Sequence, residues 1–357
     1  MGGIVLFLAA IQLMSGGFQL VGGDMAKNLV EIATNPFIAL FLGLLATSVV
    51  QSSSATTSLI VAIVAVGDLS VTQAVPMILG ANIGTALTST IVSLGHIGNR
   101  EEFGRAVSAA TLHDLFNILS VLFMFWVEAL TEGLSRSSVW VANRLGSIHW
   151  RGLEGFISFI KDATDQLIFF LSDWPYLTLF LGLLALFGAL RLLIWIVKWI
   201  IIGRVERNLN SILFGNPYRG LLTGFGLTAV MQSSSLTTSL IVPLVATSKV
   251  RLEQAFPYIM GANVGTTTTA FLTAMVATGS GRTAALAAAL IHVFFNLGGV
   301  LLLFPIPKIR SIPVILAQKL GDLCLQSRIY GVAYVILVFF GLPFLLIFLS
   351  EGIGWLM

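Results

Sequence analysis

Charge is what this chain is short of. Only 10% of its 357 residues are Asp, Glu, Lys or Arg, whereas soluble domains carry about a quarter. That leaves too little charge to coat a water-facing surface. A single cysteine, Cys324, excludes an internal disulfide and a thiolate metal centre. Four histidines, His96, His113, His149 and His292, stand far apart and offer no metal-ligand spacing. A net charge of +3 with no basic block argues against nucleic acid as a partner. What is abundant is apolar: 57% hydrophobic residues and a mean hydropathy of +0.96. The composition is that of a polytopic membrane protein, and 35 glycines fit membrane helices that pack closely.

A spanning helix needs about 20 mostly apolar residues. Such runs fall at roughly 4–23, 72–94, 104–128, 174–202, 253–277, 283–304 and 330–350. Two further apolar stretches, about 36–66 and 217–247, are each broken near the middle by a polar cluster. Broken helices at membrane depth are tolerated only inside protein or beside a water-filled cavity. These two stretches are therefore read as re-entrant hairpins. One long polar region, 131–173, separates two halves and is read as an external linker.

The halves are copies of each other. Gln51-Ser52-Ser53-Ser54 recurs as Gln232-Ser233-Ser234-Ser235, and Gly80-Ala81-Asn82-Ile83-Gly84-Thr85 as Gly261-Ala262-Asn263-Val264-Gly265-Thr266. Aligned without a gap at an offset of 181, residues 35–90 and 216–271 share 28 identities in 56 positions. His113-x-x-x-Asn117 and His292-x-x-x-Asn296 continue the match after a short indel. Three spans separate the two hairpins, an odd number, so the copies enter from opposite faces. The expected fold is all-α and polytopic, with two inverted-topology repeats, each a re-entrant helical hairpin plus spanning helices. Expected boundaries are 1–130 for the first repeat, 131–173 for the linker and 174–304 for the second repeat. A loop and a terminal span fill 305–357. Twelve loop Lys and Arg on the face of the N-terminus, Arg100, Arg105 and Arg328 among them, against six on the other make the N-terminal face cytoplasmic.

Each serine cluster offers seven or eight uncharged oxygens between apolar flanks. Hydroxyls donate to an oxyanion, and hydroxyl and amide oxygens accept a small hard cation. A helix starting just after the cluster adds free N–H groups and a positive dipole end. The competing reading, that Ser and Thr merely cap broken helices or join neighbouring ones, weakens because the cluster is doubled on mirror-related hairpins. Glycines four apart explain themselves by helix packing. Asn82 and Asn263 do not, and stand open between a ligand role and a contact to a hairpin tip. His113 and His292 are read as satisfied structural groups. Asp114 is the sharpest oddity, an acid well inside a span with Val293 at the equivalent place: ionisable groups there are costly and often functional, and the competing reading is a salt bridge or helix cap near the site. Arg191 and Lys198 are read as snorkelling side chains.

These residues resemble the type II sodium–phosphate cotransporter family. The likeness rests on the doubled Gln-Ser-Ser-Ser, the doubled Gly-Ala-Asn-x-Gly-Thr, His113-Asp114-x-Phe116-Asn117 and His292-x-Phe294-Phe295-Asn296. The resemblance implies sodium-driven symport of inorganic phosphate across the cell membrane, with no enzymatic step and sodium as the coupling ion in place of any cofactor. It implies phosphate held by Ser52, Ser53, Ser54, Ser233, Ser234, Ser235 and Thr238, with Arg100 as counter-charge. Sodium would use Gln51, Gln232, Asn117 and nearby groups: Thr57, Asn82, Asn99, Asn263 and Asn296. Expected partners are phosphate, sodium and the lipid bilayer, with a homodimer left open. The sequence departs from the family at Asn99, where electrogenic members carry Asp, so the sodium stoichiometry is open. An intramembrane serine hydrolase is the weaker alternative, since two equal clusters do not make one nucleophile and no Gly-x-Ser-x-Gly is present. A same-fold carrier for sulfate or arsenate is the closer one.

Overall fold

Long apolar runs away from water leave the backbone one way to satisfy its own N–H and C=O groups, the helix. The computed structural model describes residues 2–21, 33–146, 151–201, 215–277, 281–341, 343–345 and 347–348, and every element among them is helical. In chain order these are α1 (Gly2–Val21), α2 (Pro36–Val50), α3 (Ser53–Val66), α4 (Val71–Thr85), α5 (Leu87–Leu94), α6 (Arg100–Thr131), α7 (Gly133–Gly146), α8 (Arg151–Phe170), α9 (Pro175–Ile201), α10 (Pro217–Met231), α11 (Ser234–Ala246), α12 (Leu252–Val276), α13 (Arg282–Leu303), α14 (Pro307–Gln326) and α15 (Ile329–Ile336). Among the described residues three runs are long and apolar enough to cross a membrane: Val71–Leu94, Arg100–Thr131 and Arg282–Leu303. Lys27, Arg204 and Arg207 of the loop charges, and the side chains of Arg191 and Lys198, lie outside the described residues.

Within the polar segment 131–173, read above as a linker, the described residues form two helices, α7 and α8. Its mixed polarity is amphipathic: Leu134, Ser138 and Ala142, four apart, are the buried face of α7. Residues 307–326 are likewise helical. In α14 the buried stripe is Val314, Ala317, Gly321 and Cys324, and Gly104 of α6 seats against the Gly321 carbonyl.

Glycines fix the packing of each copy in the same way. A side chain on Gly43 would strike the backbone of Met77, on Gly80 that of Leu40, and on Gly84 that of Leu44, so α2 and α4 lie in backbone contact. At the offset of 181, Gly224 meets Tyr258, Gly261 meets Leu221 and Gly265 meets Phe225, joining α10 to α12.

The long helices α6 and α13 touch where Gly299, near the end of α13, sits against Ser120 and Phe116 of α6. Leu303 and Phe304 at the end of α13 share a buried cluster with Ala106, Ala109 and Ala110 near the start of α6. The two helices therefore run in opposite senses. Phe37 at the start of α2 stacks on Phe125 near the end of α6, ring centres 5.0 Å apart. Gly281, just before α13, abuts the carbonyl of Ala65 near the end of α3. In the second copy, Tyr218 of α10 meets Phe304 at 5.1 Å, and Arg105 Nε donates to the Ala246 carbonyl that ends α11 (2.7 Å). The outer ends of α2 and α3 thus lie by the C-terminal part of α6, and those of α10 and α11 by its N-terminal part.

Candidate anion and cation site

The inner ends of those four helices meet. Ser54 Oγ donates to the Gln232 carbonyl at 3.2 Å, and Ser235 Oγ to the Gln51 carbonyl at 3.3 Å. Ser54 and Ser235 are equivalent in the repeat, as are Gln51 and Gln232, so the pair of bonds is reciprocal.

Each helix break has one cause. Gln51 (φ 56°) and Gln232 (φ 55°) adopt the left-handed conformation that closes α2 and α10, their N–H groups donating to Thr47 and Thr228 carbonyls. Glycine takes that conformation at far lower cost. A glutamine kept there in both copies implies that its amide is used. Ser52 and Ser233 then cap the next helices, accepting from Ala55 N (3.2 Å) and Leu236 N (3.3 Å). The capping role that competes with binding is thus real for these two serines. It leaves the N–H groups of Ser53, Ser54, Ser234 and Ser235 at the starts of α3 and α11, where an anion is favoured. The hydroxyls of Ser53 and Ser234 make no hydrogen bond to another described residue, although both residues are buried.

The other expected residues fall into three groups. Thr57 and Thr238 donate back to the Ser53 and Ser234 carbonyls (2.6 and 2.8 Å), and Thr238 also pairs with Ser89 of α5 at 2.9 Å. Gln232 is tied down, donating to the Ala229 carbonyl and accepting from Thr269 Oγ1 at 2.6 Å, while Gln51 is exposed. Asn99 is an exposed cap of α6, accepting from Glu101 N and Glu102 N. Arg100 is also exposed and donates to the Gln326 carbonyl at the end of α14. The contacts of these two residues are to the surface around the start of α6, not to the serine clusters.

Asn82 and Asn263 are each paired with a histidine of the other half. His292 Nε2 donates to Asn82 Oδ1 and His113 Nε2 to Asn263 Oδ1, both at 3.1 Å, and both pairs are buried. Each histidine of one copy thus anchors the asparagine of the other. Asn296 Nδ2 adds a bond to Asn82 Oδ1 at 3.2 Å. The oxygens a sodium ion would need on Asn82 and Asn263 are therefore engaged.

Asn117 breaks this symmetry. It is fully buried, and neither amide atom has a partner. Three residues earlier on the same face, Asp114 is fully buried with Oδ1 unpartnered. Its Oδ2 accepts from Tyr334 Oη of α15 at 2.9 Å and from Thr90 Oγ1 at 3.5 Å. Among the described residues no basic side chain pairs with it, so a salt bridge does not account for Asp114. An ionised carboxylate there lacks a counter-charge, and unpartnered buried polar atoms cost about 1–3 kcal/mol each. Asp114 and Asn117 thus place unpartnered buried oxygens on one face of α6. The sequence signal for Asp114 was its lack of a counterpart at Val293.

The family profile described as Na+/Pi-cotransporter matches residues 6–142 and again 184–321, one copy on each half of the chain. Among curated proteins, sodium-dependent phosphate transport protein 2B of Pongo abelii is 31% identical over 450 residues, spanning 99% of this chain and 65% of the relative. Protein 2B of Homo sapiens gives the same identity and coverage over 453 residues. Sodium-dependent phosphate transport protein 2A of Ovis aries is 32% identical over 430 residues, spanning 99% of this chain and 67% of the relative. The chain therefore spans just under two thirds of the 2B relatives. No solved structure matches it.

Proposed function

Because the chain belongs to the Na+/Pi-cotransporter family, we propose that it is a secondary transporter carrying inorganic phosphate with sodium through the cell membrane. The observation that carries this reading is the reciprocal pair Ser54–Gln232 and Ser235–Gln51. It supports two re-entrant hairpins, α2–α3 and α10–α11, entering from opposite faces and meeting at their tips, in an inverted repeat. The N-terminus lies on the cytoplasmic side.

Phosphate sits between the tips. The free N–H groups at the starts of α3 and α11 and the hydroxyls of Ser53, Ser54, Ser234 and Ser235 supply donors to its oxygens, and two dipole ends offset its charge. Ser52, Ser233 and Thr238 hold these helix starts in place and reach the anion only by giving up their present bonds. Arg100 reaches it only on leaving the Gln326 carbonyl, a change that an alternating cycle supplies. Sodium takes Asn117 and Asp114 on α6, with Thr90 and Thr57 as neighbouring hydroxyl ligands and Gln51 and Gln232 at the tips. The ion gives Asp114 the counter-charge it lacks, and in loading it prepares the site for an anion. Access alternates because each tip is closed by the other copy: rocking one repeat against the other opens one face at a time.

Radiolabelled phosphate uptake into proteoliposomes tests this directly. Accumulation driven by an inward sodium gradient, and not by potassium or protons, is the expected result. Equal uptake without sodium, or sulfate carried as well as phosphate, contradicts it. Asp114→Asn is expected to raise the sodium concentration for half-maximal uptake by tenfold or more, since removing one partner of a buried charge pair costs about 2–5 kcal/mol. An unchanged sodium dependence would remove Asp114 from the site.

A further inference from the structure

A buried carboxylate needs hydrogen bonds to offset the water it has lost. A basic partner would supply them, but it would also cancel the charge and leave nothing for a metal cation to answer. Asp114 is held by a neutral donor instead. Tyr334 Oη donates to its Oδ2 at 2.9 Å, and Oδ1 has no partner. The hydroxyl thus fixes the carboxylate without supplying a positive charge. The bond is not explained by the needs of the tyrosine. A half-buried phenol is satisfied by any carbonyl, at far less cost than an acid buried at membrane depth.

Tyr334 belongs to neither repeat. It lies on α15, beyond residue 321, where the second match to the family profile stops. Helix α15 is moored on both sides of it. Before Tyr334, Arg328 Nη2 donates to the Gly98 carbonyl just ahead of α6 at 3.3 Å. A side chain on Gly331 would press on Phe103 of α6 and Cys324 of α14. After Tyr334, Val335 and Val338 pack on the core cluster that holds Leu44, Ile83 and Val121. Phe339, in the π-helical turn Leu337–Gly341 that continues the helix, is fully buried in that cluster. The phenol is therefore presented to Asp114 by a fixed backbone.

We propose that Tyr334 is a positioning residue of the cation site: its hydroxyl fixes Oδ2 of Asp114 so that Oδ1, beside Asn117 three residues on, is the oxygen offered to sodium, a role that rests on the placement of the ion at Asp114 above. The acid and the helix that holds it go together. Val293 stands where the second copy would need an acid, so the cation site is built on one copy and completed from outside both. Helix α15 is then part of the coupling machinery and not a terminal anchor.

The test is the sodium dependence of phosphate uptake at saturating phosphate, in proteoliposomes holding the full chain. Tyr334→Phe removes one hydroxyl and no packing. It is expected to raise half-maximal sodium roughly tenfold, the lower end of what a hydrogen bond to a charged group is worth. The KM for phosphate at saturating sodium and the maximal rate should change by less than about twofold, because Tyr334 acts on the cation alone. Replacing Tyr334 with para-aminophenylalanine, which keeps a donor at the same place on the ring, should restore most of the sodium affinity. In an Asp114→Asn background, Tyr334→Phe should add less than about a twofold shift, since the two residues act as one unit. The proposal is overturned if Asp114→Asn shifts the sodium dependence and Tyr334→Phe does not, or if Tyr334→Phe shifts it equally with and without Asp114. It is overturned too if Tyr334→Phe loses folded carrier and the amino analogue recovers the fold but not the sodium affinity. If Asp114→Asn itself leaves the sodium dependence unchanged, the placement of sodium falls first and this role falls with it.

Discussion

A valine at Gly80, or at Gly261 in the second copy, is expected to leave no folded protein in the membrane. A side chain at either position points into main chain: the carbonyl of Leu40 in one case and that of Leu221 in the other. Overpacking a core with adaptable side chains costs about 1–3 kcal/mol. Here nothing adaptable faces the new methyl groups, so α2 must separate from α4, or α10 from α12, along their whole contact. Helices in lipid gain little from hydrophobic burial against each other and hold together by such close packing. The hairpin would lose its support. Gly226 is the internal control: it lies two residues beyond Gly224 on the same helix, yet a side chain there meets nothing within 4 Å. Gly226→Val should run as a single peak on detergent size exclusion, and Gly80→Val and Gly261→Val should not. Monodisperse, active Gly80→Val and Gly261→Val would refute the packing described.

Gln51→Gly and Gln232→Gly are expected to abolish transport without harming the fold. Both glutamines sit at φ near 55°, where glycine is the more comfortable residue, so backbone strain falls in the variant. What is lost is the amide. A hydrogen bond to a charged group is worth about 1.5–3 kcal/mol, and about 3 kcal/mol is roughly a hundredfold in affinity or rate. For Gln51→Gly, thermal stability equal to or above wild type with uptake down by that factor is the expected pair of results; Gln232→Gly also loses bonds to Ala229 and Thr269, and its stability falls modestly. For Gln232→Gly part of the loss will come from freeing Thr269. Variants that transport normally would show that the amides serve only to break the helices.

How much of this is legible in the sequence follows from distance along the chain. The doubled motifs, the helix breaks at Gln51 and Gln232 and the serines that follow them are readable because each is local or repeats at a fixed offset. The crossed bonds His113–Asn263 and His292–Asn82 are not. Each joins residues 150 or 210 positions apart across the two copies, and no periodicity within one copy announces its partner in the other. The acid of Asp114 is visible as an oddity, but its partner Tyr334 comes from α15, outside both repeats. The helices of segment 131–173 are not legible because average polarity hides a helical face: Leu134, Ser138 and Ala142 are buried while their neighbours Val139 and Trp140 are exposed. Arg100 and Asn99 draw notice by family likeness, and their present contacts, to Gln326 and to the first turn of α6, are those of helix ends.

Chemical cross-linking across the tips tests the central claim most directly. With Ser54→Cys and Ser235→Cys introduced into a Cys324→Ser background, the only two thiols lie one on each hairpin. A short bifunctional thiol reagent should join them within a single chain, and phosphate with sodium should slow the reaction. Two thiols that are each modified singly but never joined would mean that the hairpins do not meet, and the shared oxyanion site would have to be abandoned.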